Sequence, residues 1–222
     1  MTDFATIHEA ALKRHGEEGV QARLPEPVSA DVLREMTDDR YLSQMSFRVF
    51  STGLKHDLVR GKWPAFEEAF YGFDPAWVGF MNDDDLNRLL GDARIIRHGG
   101  KIRATFHNGT AMQEISAEFG SFGAFIADWP RDDVIGLWED LGKRFKHVGG
   151  NSSPYFLRMV GKDTFTMSND VIRGLKHWCG LEAAGKNKTG RKLMQAQFNA
   201  WAEQSGRPFC QLSMILALST EV

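Results

Sequence analysis

The sequence predicts an all-α protein. Apolar residues recur three and four positions apart from end to end, period-2 alternation of β-branched residues is scarce, and residues that start helices stand at intervals along the chain. Phe4, Ile7, Ala11 and Leu12 give a first helix closed by Gly16, and EEGVQARLPEPV, with two prolines, reads as an irregular connector. Ser29 caps a helix carrying Val32, Leu33 and Met36, and Tyr41, Leu42, Met45, Val49 and Phe50 mark the next, interrupted at Gly53. In FDPAWVGFM, Asp74 caps and Pro75 takes the first helical position, where the missing proline N–H would have gone unpaired in any case. Asn82 repeats the start before DDDLNRLLGD, whose acids suit a helix N-terminus.

A longer helix follows in KIRATFHNGTAMQEISAEFG, then SFGAFIADW started by Ser121, then RDDVIGLWEDLGKRF. Beyond residue 161, Ser168 caps NDVIRGLKHW, and KLMQAQFNAWAEQ and PFCQLSMILALS are separated by SGRP. The total is about ten helices in 222 residues, a single compact or bilobal helical domain over 1–222. Hydrophobic residues make up 42% of the chain, enough to bury one substantial core or two smaller ones. No apolar run reaches the roughly 20 residues of a membrane span, and MTDFATIHEAALKRHG lacks the form of a signal peptide, so no membrane partner and a cytoplasmic location are expected. Cys179 and Cys210 are expected as reduced, buried thiols.

The formal charge of −2 conceals an asymmetry: residues 141–200 carry 11 Lys/Arg against 3 Asp/Glu, a balance of +8 that leaves −10 elsewhere. Within that stretch lies KRFKHVGGNSSPYFLRMVG, residues 143–161, which reads as a helix end, a Val-Gly-Gly turn, and a second helix capped by Ser152 or Ser153 with Pro154 in its first turn. Gly149 and Gly150 allow left-handed dihedrals and close approach of a foreign backbone, and the unpaired amides of the following helix make an anion seat. Lys143, Arg144, Lys146 and Arg158 would surround it. On the turn alone two readings stand open, an ordinary helical corner with a solvated basic rim and a phosphate seat of the helix-hairpin-helix kind.

A second block, residues 66–105, contains Phe73-Asp74-Pro75, Asp92, Ile95-Ile96-Arg97 and Lys101 four residues on. It resembles the 3-methyladenine DNA glycosylase I family, within the helix-hairpin-helix glycosylases. TGLKH, residues 52–56, stands where that family has Gly-Leu-Ser-Trp, and KRFKHVGG stands at its hairpin. The resemblance covers about residues 30–180 and leaves 186–222 as a C-terminal helical extension, whose Leu193, Phe198, Trp201, Leu212, Ile215 and Leu216 have core spacing. It implies the all-helical glycosylase fold, duplex DNA as partner, and hydrolysis of the N-glycosidic bond of an alkylated, 3-methyladenine-like base. The alternative is a protein that keeps the fold and binds damaged or distorted DNA without chemistry. Gly53 and Leu54 correspond to the wedge that fills the gap left by an extruded base. Val148, Gly149, Gly150, Ser152 and Ser153, with Lys146, correspond to the hairpin that grips the backbone.

Other family positions are changed. The pocket tryptophan is His56 and the pocket glutamate is Arg48, which would repel a cationic base if it pointed inward. The C-terminal zinc ligands fall on Asp170 and Gly174, and His177 with Cys179 makes no tetrahedral set, so neither zinc nor any other cofactor is expected. The catalytic aspartate of other helix-hairpin-helix glycosylases falls on Ser168, with Asp170 two residues later. The candidates for the chemistry are therefore His56, Arg48, Ser168 and Asp170, with Phe47 and His56 as base pocket.

Overall fold

A computed structural model describes residues 2–185 and 187–220, so Lys186, Glu221 and Val222 of the expected extension lie outside the described residues. It contains thirteen α-helices, α1 (Phe4–Gln21), α2 (Ala30–Glu35), α3 (Asp38–Ser51), α4 (His56–Ala69), α5 (Pro75–Phe80), α6 (Asp83–Gly91), α7 (Gly99–Phe119), α8 (Phe122–Asp128), α9 (Val134–Arg144), α10 (Ser152–Met159), α11 (Asn169–Cys179), α12 (Lys188–Ser205) and α13 (Phe209–Leu218). No strand occurs among the described residues. None of these helices is long and apolar enough to cross a membrane.

Most helix starts follow from their caps. Ser29 accepts from the Val32 amide at 3.3 Å, Asp74 from Ala76 at 2.8 Å, Ser121 from Ala124 at 2.9 Å and Ser168 from Val171 at 3.2 Å. Asn82 and Asp85 form a reciprocal capping box at the start of α6. Two expectations need correction. Gly16 kinks α1 at φ 69° without ending it, because the helix resumes and runs to Gln21. Helix α4 was not expected: it begins at Lys55 without a side-chain cap and carries Pro64 in its interior.

The chain divides into two compact units. The first comprises Met1–Val28, Pro130–Leu137 and Gly161–Val222, and the second Ser29–Trp129 and Trp138–Val160. The first unit packs α1, α11, α12 and α13 around an aromatic centre in which the Phe165 and Phe198 rings stack at 4.0 Å and Trp201 meets Phe4 at 5.6 Å. The terminal helices thus share one core with α11. Phe198, Trp201, Leu212, Ile215 and Leu216 are fully buried as their spacing suggested, whereas Leu193 is 47% exposed. Both cysteines are free; Cys210 is buried, and Cys179 is half-buried, its thiol pushed up to about 11 by desolvation.

In the second unit the FDP segment belongs to the scaffold. Helix α5 crosses α7 at Gly79 and Gly109, where a Cβ on Gly109 would lie 2.8 Å from the Gly79 nitrogen. Gln113 of α7 donates to the Pro75 carbonyl at 2.7 Å, and Thr110 to the Gly79 carbonyl at 3.2 Å. Phe73 holds the sparsely populated left-handed region at φ 60°. Its buried ring lies between Trp63 at 5.3 Å and Phe70 at 5.2 Å, nearly parallel to both, which offsets that strain.

Candidate nucleic-acid interface

Three features of the second unit bear on nucleic acid: the turn between α3 and α4, the turn between α9 and α10, and a cavity bounded by α3, α4 and α10. Gly53, at φ 80°, and Leu54, 39% exposed, form the first turn and point no bulk into the core. The last carbonyls of α3 have no intrahelical partner, and the Lys101 ammonium donates to two carbonyls at this turn, Phe50 at 3.1 Å and Thr52 at 2.8 Å. A cation at a helix C-terminus also meets the negative end of its dipole. Desolvation of this lysine lowers its pKa. The lysine of the IIRxxxK pattern therefore anchors the wedge-like turn.

In the second turn Gly149, Gly150 and Asn151 are exposed while Val148 is buried. Gly150 is the glycine that takes the left-handed conformation, at φ 62°, with nothing within 4 Å of a built Cβ. His147 is also left-handed at φ 61°. Helix α7 again supplies the anchor. Buried Asn108 accepts from the Lys146 amide at 2.7 Å and donates to the Lys146 carbonyl at 3.2 Å. Asn108 lies seven residues after Lys101, so the two anchors share a face of α7 about 10 Å apart along its axis.

The expected caps at this hairpin do not form. Asn151 is the N-cap residue of α10 and makes no side-chain cap bond. Ser152 and Ser153 are buried. The Ser153 hydroxyl is directed at the Val148 carbonyl, 2.5 Å away, and the Trp138 carbonyl, 3.2 Å away, tying the turn to α9. The side chains of Val148, Ser152 and Ser153 therefore build the hairpin from inside, and what the turn offers outward is main chain from Gly149 to Asn151. Of the surrounding cations, Lys143 and Lys146 are exposed, whereas Arg144 is taken by Asp140 at 2.9 Å and Glu118 at 3.5 Å.

The cavity, about 310 Å³, is lined by Gln44, Phe47, His56, Arg60, Trp63 and Met159. Phe47 meets Trp63 edge to face at 5.0 Å and His56 at 5.9 Å. Trp63, which sequence reasoning missed because it lies in the uncapped α4, stacks on Phe66 at 4.8 Å and donates its indole N–H to Ser43 at 3.1 Å. Ser43 in turn donates to Glu67 at 2.6 Å, and Glu67 is forked by Arg40. The wall is thereby fixed in place from behind.

The other candidates lie elsewhere. Arg48 stacks its guanidinium over Tyr155 at 4.8 Å and is not part of the cavity lining. Desolvation lowers its pKa. Ser168 and Asp170 belong to the first unit, where Ser168 caps α11 and Asp170 pairs with Arg173 at 2.8 Å.

The sequence profile of the methyladenine glycosylase family matches residues 33–143, half of the chain. The chain belongs to the methyladenine glycosylase family. A curated relative, DNA-3-methyladenine glycosylase 1 of Escherichia coli, is 34% identical over 91 residues, 40% of this chain and 49% of that protein. The chain thus spans about half the length of the curated relative it matches. Among solved structures, 3-methyladenine DNA glycosylase I from Staphylococcus aureus aligns over 68% of this chain and 91% of its own with a TM-score of 0.53 at 22% identity. The 8-oxoguanine DNA glycosylase of Methanocaldococcus jannaschii covers 95% of this chain and 89% of its own, with a TM-score of 0.52 at 13% identity. At those identities the likeness establishes the helix-hairpin-helix glycosylase fold.

This family member does not fit a zinc ion at the positions corresponding to the family ligands. Asp170 is engaged by Arg173, and Gly174 offers no donor. A Cβ on Gly174 would lie 2.7 Å from the Leu216 side chain, so α13 fills that space with hydrocarbon. No three of His, Cys, Asp and Glu gather among the described residues.

Proposed function

We propose that the protein is a DNA glycosylase of base-excision repair, hydrolysing the N-glycosidic bond of a damaged base in duplex DNA. The observation that carries this reading is the pairing of two exposed turns on one face of α7 within the same unit as an aromatic cavity. In this account Gly149 and Gly150, with Lys143 and Lys146, hold the phosphate backbone. Leu54 fills the gap in the stack and offsets an unstacking cost of a few kcal/mol. The extruded base enters between Phe47 and Trp63. Water then bonds to C1′ as the glycosidic bond breaks, and the base departs with the bonding electrons. A base that is not already cationic needs a proton as it leaves, and His56 is the cavity group able to supply one.

The test is release of free base from methylated and otherwise damaged duplexes, run beside Gly150→Asp. Aspartate tolerates the left-handed region and meets open space there, so the variant folds. Its carboxylate opposes the phosphate and should weaken duplex binding about tenfold or more. Unchanged binding would remove the hairpin from the interface. The second reading, a binder without chemistry, is favoured by Arg48 lying on Tyr155 and by Ser168 and Asp170 being taken up in a cap and an ion pair. It gives salt-sensitive duplex binding with no base released from any substrate.

A further inference from the structure

The cavity's chemistry narrows the kind of base it accepts, and this inference rests on the glycosylase reading above. Phe47, Trp63 and Met159 provide apolar walls, and Gln44, His56 and Arg60 provide the polar groups. None of these six is a carboxylate. Glu67, the acid behind Trp63, is already matched by Arg40 at 3.1 and 2.9 Å. Arg60 carries its guanidinium 5.9 Å from the centre of the Phe47 ring and is exposed, with no ion pair among the described residues. A second guanidinium, Arg48, follows Phe47 on α3 and lies over Tyr155, one turn before Met159 on α10. Its Nε is buried without an acceptor. The lining is thus π faces with donors and a permanent positive charge.

A base already made cationic by alkylation meets like charge there and finds no anion to match it. A neutral purine with a carbonyl beside a ring nitrogen gives a guanidinium two acceptors in the geometry its fork fits. We propose that the cavity takes an uncharged oxo-purine of the hypoxanthine type, with Arg60 on its O6/N7 edge and Phe47 and Trp63 against its faces, in preference to cationic 3-methyladenine.

Backbone phosphates offer the same acceptor chemistry, so the experiment separates the two sources. Three duplexes differing only in a central adenine, hypoxanthine or freshly introduced N3-methyladenine are titrated with the whole protein and with Arg60→Gln, and base release is followed in parallel. The expected result is binding of the hypoxanthine duplex about tenfold tighter than the adenine duplex, a ratio that Arg60→Gln brings near one. If N3-methyladenine is the preferred base, the inference falls and the glycosylase reading stands. An equal loss on all three duplexes would assign Arg60 to phosphate and also overturn the inference. If the three bind alike and none loses its base, the glycosylase reading falls with it.

Discussion

The turn at Gly53–Leu54 and the turn at Gly149–Gly150 are fastened to the same face of α7 by different chemistry. The first is held at its base by the Lys101 ammonium on two carbonyls, and the residues beyond Thr52 are exposed. The second is held by a buried amide that satisfies both polar atoms of the Lys146 peptide group, and from inside by the Ser153 hydroxyl. A loop tied at one end can yield when it meets stacked bases. A loop tied at two points keeps its main chain in register for phosphates. The difference suits a compliant wedge beside a stiff seat.

Removing the anchors one at a time breaks the comparison. Asn108→Ala strands a peptide N–H and C=O in a buried site, which costs about 2–3 kcal/mol, or roughly 5–10 °C in melting temperature for a chain this size. Calorimetry should show that loss, together with weaker binding to undamaged duplex. A melting temperature within a degree of the parent would mean that the hairpin does not depend on α7. Lys101→Met keeps the aliphatic stem and removes a partly exposed cation, for about 1–2 kcal/mol. Its mark should be selective: base extrusion and release decline while affinity for undamaged duplex changes less than twofold. Equal losses in both would show that the two turns are not separately anchored.

How far these features were legible depends on whether their causes are local. The caps at Ser29, Asp74, Asn82, Ser121 and Ser168 could be read because an N-cap depends on its own side chain and the next three residues. Helix α4 was hidden because it lacks such a cap and contains Pro64; its stability comes from packing Phe66 and Trp63 into the aromatic core. Trp63 was lost as a cavity wall with it. The reading of Gly-Leu and Gly-Gly as exposed turns agrees with their exposure, but nothing in the neighbouring residues reveals Asn108, whose partner is 38 positions away. Ser153 illustrates the opposite error. A serine before a helix is a reasonable cap by local rules, yet tertiary packing turned its hydroxyl toward Val148 and Trp138.

Fluorescence of 2-aminopurine placed opposite or beside a damaged base, in duplex titrated with the parent protein and with Leu54→Ala, tests most directly whether the first turn opens the stack. Leu54 is 39% exposed, so its truncation should change stability by less than about 0.5 kcal/mol. The account predicts a rise in emission with the parent protein that falls severalfold with Leu54→Ala at saturating protein. No rise with the parent, or an equal rise with both, would contradict it.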